Sequence, residues 1–201
     1  MDTRSLKLLF LVVLTSCLGT EESQVGSAPQ PITAAKNHLL VTLSDYQTGK
    51  LAEWNLGEAR LRYEVPTHSD AVVRVSADDK SALVINRMGA DNLQVIDRER
   101  GSNRVQFSLG RSSNPQDLVA MASGDVWLTA FERNQVSLLE DTVLTPVFDL
   151  SPYVDADGSG EIAHIADING LLWVQMGCLD RNNGLSPTES SKIAIVNPKN
   201  R

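Results

Sequence analysis

Lys50-Leu51-Ala52-Glu53-Trp54-Asn55 returns as Asn92-Leu93-Gln94-Val95-Ile96-Asp97 and again as Asn134-Gln135-Val136-Ser137-Leu138-Leu139, each copy starting 42 residues after the one before. A fourth copy, Lys192-Ile193-Ala194-Ile195-Val196-Asn197, starts 58 residues after the third. A fixed period of this length marks an architecture of stacked repeats. The runs are short, rich in Val, Ile and Leu, and bounded by Asn, Asp, Gly and Ser. That pattern reads as strand, and no segment sustains the 3.6-residue period of a helix.

A second series repeats alongside the first. Ala71-Val72-Val73-Arg74-Val75, Gln116-Asp117-Leu118-Val119-Ala120 and Glu161-Ile162-Ala163-His164-Ile165 start 45 residues apart. Each is followed by a polar turn (Asp78-Asp79-Lys80, Ser123-Gly124-Asp125, Ile168-Asn169-Gly170) and then by an apolar strand (Ala82–Ile85, Val126–Thr129, Leu171–Val174). A repeat of roughly 40–50 residues holding four short strands is a propeller blade. Two full blades are expected, with strands at 71–76, 81–87, 92–98 and 104–109 and at 116–122, 125–132, 134–140 and 143–149. Partial blades flank them, at 38–43, 49–55 and 60–65 and at 161–167, 171–178 and 191–197. The fold class is therefore all-β: a propeller-like array of about four four-stranded blades, the first and last incomplete.

Gly110-Arg111-Ser112-Ser113-Asn114-Pro115 ahead of a strand, Ser76-Ala77-Asp78-Asp79-Lys80 as a strand turn, and Leu93–Asp97 as a third strand resemble the YVTN- and NHL-type β-propeller repeats. The resemblance covers most of residues 38–198. It implies the architecture and leaves the activity open, because propellers host lactonases, dehydrogenases and pure binding scaffolds. Three assemblies follow from the partial blades: a piece of a larger propeller, a small four-bladed ring, or a homodimer in which two chains complete one ring.

The chain opens with a short charged head (Asp2, Arg4, Lys7) and the apolar run Leu8–Leu14. The run is too short to span a bilayer, which takes about 20 residues, and has the length of a secretory h-region. Leu14-Thr15-Ser16-Cys17 resembles the lipobox of bacterial lipoproteins. That resemblance implies cleavage of a signal peptide at 1–16 and lipidation of Cys17. It implies an anchor in the bacterial cell envelope, at the outer membrane because Leu18 is not the inner-membrane retention signal. Residues 17–35 are polar and rich in Gly, Ser and Pro, the composition of a flexible tether to a domain at 36–201. The net charge of −7 and the lack of a basic cluster exclude a nucleic-acid partner. With Cys17 acylated, Cys178 is alone in an apolar run and reads as a buried, inert thiol.

Two loops carry the candidate chemistry. Asp155-Ala156-Asp157-Gly158-Ser159-Gly160-Glu161-Ile162 matches the front of a calcium loop, with oxygen ligands at alternate positions and a Gly at the bend. Asp155, Asp157, Ser159 and Glu161 are the candidate calcium ligands, although Ala166 stands where a bidentate Glu belongs. The extra length of the last repeat falls in residues 179–190. There Asp180, Arg181, Asn182 and Asn183 form a candidate surface for a protein or glycan partner, since propeller loops carry function more often than strands. His38, His68 and His164 are far apart in sequence; His164 is expected half-buried in a strand. Trp54, Trp127 and Trp173 fall within strands and are expected in the core. No Gly-x-Ser-x-Gly, HExxH, P-loop or GxGxxG motif occurs. The leading expectation is a lipid-anchored, non-catalytic scaffold with calcium stiffening residues 155–161. The alternatives are a lactonase-type or quinoprotein-like propeller enzyme, and a fragment without independent function.

Overall fold

The computed structural model describes residues 37–188 and 191–201. The signal, Cys17 and the tether lie outside the described residues.

Sixteen strands occur among the described residues, and the sheets follow the repeats. Blade 1 comprises β1 (His38–Ser44), β2 (Gly49–Asn55) and β3 (Arg60–Thr67). Blade 2 is β4 (Ala71–Val75), β5 (Ser81–Asn86), β6 (Asn92–Asp97) and β7 (Ser102–Ser108). Blade 3 is β8 (Pro115–Ala120), β9 (Val126–Ala130), β10 (Gln135–Glu140) and β11 (Val143–Asp149). Blade 4 is β12 (Ile162–Ile168), β13 (Leu171–Met176) and β16 (Lys192–Val196); a small hairpin, β14 (Leu179–Asp180) and β15 (Ser186–Pro187), interrupts it. Every pairing is antiparallel, and all but β13–β16 join strands consecutive in the chain, as hairpin connections dictate. The all-β, propeller-like fold with partial first and last blades is thus observed.

The turns are built from local chemistry. In the β4–β5 turn the Ser76 hydroxyl donates to Asp78 and accepts from the Ser81 N–H, while Asp79 adopts a positive φ of 63°. Gly101 closes the β6–β7 turn at φ +62°, and a Cβ there would stand 2.4 Å from the Tyr63 ring of blade 1. Glycine is required there by both backbone and space.

The core lies between blades. Leu51 and Val65 of blade 1 pack on Ala82, Val84 and Ile96 of blade 2. Leu83, Ile85 and Leu93 of blade 2 pack on Leu118, Leu128 and Ala130 of blade 3. Trp127, Val136 and Leu138 of blade 3 pack on Leu172, Val174 and Met176 of blade 4. Each Val, Leu, Ile or Met among them contributes roughly 1.5–3 kcal/mol on burial. The first strands β4, β8 and β12 lie beside one another from blade to blade, as strands nearest a common axis do.

Two expectations change. Leu93 pairs with Ile85 and Val136 with Thr129, so Leu93 and Val136 are equivalent and the third copy is shifted by one residue from the 42-residue register. A one-residue slip exchanges the two faces of a strand. Of the three tryptophans only Trp127 is in the core, stacked at 5.4 Å on Phe148; Trp54 and Trp173 lie on outward faces of blades 1 and 4 and are partly exposed. Cys178 is buried and free, and burial pushes its thiol pKa up.

Candidate functional site

The two loops singled out by sequence meet in space. Residues 155–161 connect β11 to β12, and the β14–β15 hairpin connects β13 to β16. Asp155, Ala156 and Asp157 from the first loop and Asp180, Asn182 and Thr188 from the second line one open hollow of about 470 Å³. The first loop is wound by its own polar groups. The Asp157 N–H donates to Asp155 Oδ1 at 3.2 Å, and the Ser159 N–H to Asp157 Oδ1 at 3.0 Å. Asn134 of blade 3 clamps it from below, accepting from the Gly160 N–H and donating to the Gly158 carbonyl.

Arg181 joins the loops. Its N–H donates to Asp157 Oδ2 at 2.8 Å, its Nε to Glu161 Oε1 at 2.5 Å and its Nη1 to Glu132 Oε2 at 2.7 Å. Its guanidinium lies 5.4 Å from the centre of the Phe131 ring. Glu161 is fully buried, and its second oxygen accepts from the Leu179 N–H. Burial works to lower the Arg181 pKa, but the bonds to Glu161 and Glu132 outweigh it and raise the value. The sequence placed Arg181 on the partner-facing surface; the structure uses it as the bolt that holds the insertion to blades 3 and 4. Asp180 accepts from the Asn182 N–H and caps the short 3-10 turn Arg181–Asn183. Asn182 borders the hollow, and Asn183 gives its carbonyl to the Ser186 hydroxyl.

The calcium-loop positions divide. Asp155 and Asp157 face the hollow together. A hydrogen bond with Asp157 holds the Asp155 carboxyl above its ordinary value, while the Arg181 N–H and then Asp155 hold Asp157 below its own. Ser159 enters the loop through backbone hydrogen bonds. Glu161 is committed to Arg181. Among the described residues no three His, Cys, Asp or Glu side chains converge as a metal set.

A second cluster was not legible in the sequence. Asp117 on β8 is buried between neighbouring first strands. Arg74 Nη2 of β4 donates to it at 2.9 Å, and His164 Nδ1 of β12 stands 3.4 Å from Oδ2. The Leu118 N–H, at 2.8 Å, and the Ile165 N–H, at 3.4 Å, also donate to its carboxylate. His164 is not half-buried: 70% of its side chain is exposed. A carboxylate beside an imidazole open to solvent is an arrangement that can support general acid–base chemistry. The missed signal was charge at repeat spacing, since Arg74 and Asp117 are 43 residues apart and Asp117 and His164 are 47 apart.

A third cluster centres on Glu53. Buried Glu53 on β2 accepts from Arg98 Nε at 3.1 Å, from Arg62 Nη1 at 2.5 Å and from the Tyr63 hydroxyl, and lies 2.8 Å from His38 Nδ1. Arg98 also binds Asp79. Desolvation opposes ionisation of Glu53, but these donors prevail and its pKa is lowered. Tyr63 is raised by burial and by Glu53.

No protein-family model matches the chain, and no curated protein matches it. Among solved structures it is similar to the crystal structure of virginiamycin B lyase from Staphylococcus aureus, at 13% identity and a TM-score of 0.54. The match covers 80% of this chain and 52% of that one, so the chain spans about half the length of that neighbour. At this identity the likeness shows the propeller fold alone.

Proposed function

We propose that this chain is a lipid-anchored binding scaffold of the bacterial envelope, tethered through Cys17, that takes a protein or glycan partner on the loops at 155–160 and 178–188. The observation that carries this reading is the single hollow formed by both loops and braced by Arg181 on Glu161. Bracing leaves Asp155, Asp180 and Asn182 at the hollow without charging their positions to loop entropy, the condition for tight polar recognition. Calcium is held by Asp155 and Asp157 as its carboxylate ligands, where a cation offsets the mutual repulsion of the two charges.

The anchor is tested by metabolic labelling with palmitate, where Cys17→Ser loses the label. The partner site is tested by a photo-crosslinking residue at Asn182 in living cells. A discrete adduct absent from a control at Asn103 on β7 supports the reading; equal labelling at both sites overturns it.

A second reading, a propeller enzyme, is favoured by one observation, the Asp117–His164 pair; virginiamycin B lyase, which shares the fold, suggests the first substrate to try. Turnover of virginiamycin B or of simple lactones that His164→Gln abolishes, with folding unchanged, would establish it.

A further inference from the structure

We infer that blade 4 docks on blade 1 of a second copy of this chain, head to tail, by the same rule that joins the blades within one copy. The rule is a pair of cross-strand pairs. On the face turned to the next blade, the pair is Leu83–Val95 in blade 2 and Trp127–Leu138 in blade 3, while blade 1 holds Leu40–Glu53 there, with Glu53 paired to Arg98 of blade 2. On the face turned to the preceding blade, it is Ala82–Ile96 in blade 2, Val126–Leu139 in blade 3 and Leu172–Val196 in blade 4. Leu83 and Val95 meet Val126 and Leu139 in one cluster, and Trp127 and Leu138 meet Leu172 and Val196 in the next.

Both open faces carry apolar pairs at the equivalent positions. Blade 4 presents Trp173–Ile195, with Ile193 beside them, in the places of Trp127, Leu138 and Val136. The blade 3 set is 0%, 4% and 0% exposed; Trp173, Ile195 and Ile193 are 36%, 51% and 57% exposed. Blade 1 presents Leu39–Trp54 in the places of Ala82 and Ile96, at 47% and 41% exposure against 0% for both. Large apolar patches of this kind mark interaction surfaces. The counter-face required by Trp173–Ile195 is present on this chain, which commits the occupant to a second copy. Two copies joined at both ends place eight blades in one ring, within the range of about 4–8 that propellers use. A contact made at one end alone would propagate into open chains.

The test uses the full chain, purified in detergent, with light scattering across a concentration series. The wild-type chain is expected to dimerise. Trp173→Asp and Trp54→Asp are each expected to weaken the dimer by at least about tenfold, as truncating a central aromatic anchor does. An equal mixture of the two variants is expected to recover dimer, because Trp173 of one chain then meets Trp54 of the other. Ile195→Thr, which keeps strand propensity, reads the same face should the aspartate variant fail to fold. A monomeric wild type, a dimer indifferent to both variants, or Trp54→Asp alone leaving the dimer intact would overturn the proposal. The last result would mean that blade 4 pairs with itself.

Discussion

Glu53 and Asp117 are both carboxylates buried between neighbouring blades, and they differ in what surrounds them. Glu53 takes two arginines, a tyrosine hydroxyl and a histidine, so four side chains fill its lone pairs. Asp117 receives one arginine and two backbone N–H groups, and spends its remaining capacity on an imidazole that faces solvent. Glu161 stands between them: buried like Glu53, but held by an Arg181 that is one-third exposed and also pairs with Glu132. Burial of a carboxylate therefore does not identify a site in this fold. What separates the two clusters is the exposure of the imidazole: 70% of the His164 side chain faces solvent against 29% for His38.

That contrast can be broken experimentally. Arg98→Met removes the principal partner of Glu53 and leaves a buried charge without its main compensation. A loss of about 3–5 kcal/mol is expected, read as a fall in the urea midpoint. The same cluster sets a pH window. The folded pKa of Glu53 is depressed below its ordinary 4.5, so the carboxylate stabilises the fold above that value, and the contribution is lost as pH falls through the folded pKa. Tyr63 is raised above its ordinary 10.0, so its neutral hydroxyl stabilises the fold below pH 10 and fails as pH rises beyond it. Unfolding scans of the wild type should show both limbs, and Glu53→Gln should flatten the acid one.

Arg181→Met is expected to cost less, about 1–3 kcal/mol, because the guanidinium is one-third exposed. Its signature is local: faster hydrogen exchange in residues 155–161 and 177–188, with the blades unchanged. Smallest is His164→Ala, within about 0.5 kcal/mol of wild type, as expected for an exposed side chain. If His164→Ala instead destabilises the fold as much as Arg98→Met does, Asp117 belongs with Glu53 and the enzymatic reading fails.

Much of the architecture was readable because strands announce themselves locally. The apolar runs at 82–85, 92–97, 126–129 and 171–174 and their Asp, Asn and Gly turns are properties of neighbours in sequence. The phase of those strands was not readable. An interior blade is covered on both faces, so β5 is buried at every position and shows no alternation by which to tell one face from the other. The one-residue error in β10 has this origin. The loops told a similar story. The Asp155–Glu161 spacing was visible, but whether Glu161 met a cation from solvent or from Arg181 depended on a residue 20 positions away.

The chain by itself determined that it is all-β, how long the repeat is, where two blades are whole and two are partial, and which loops are longest. Those follow from side-chain period and turn chemistry, which act over a few residues. Only the tertiary structure decided which charges meet. Arg98–Glu53, Arg74–Asp117 and Asp117–His164 join residues 45, 43 and 47 apart, about one repeat in each case. Whether two such groups touch depends on the face each strand presents and on the packing of one blade against the next. Both are set by the burial of Leu93, Trp127 and their equivalents rather than by anything near the charges in sequence.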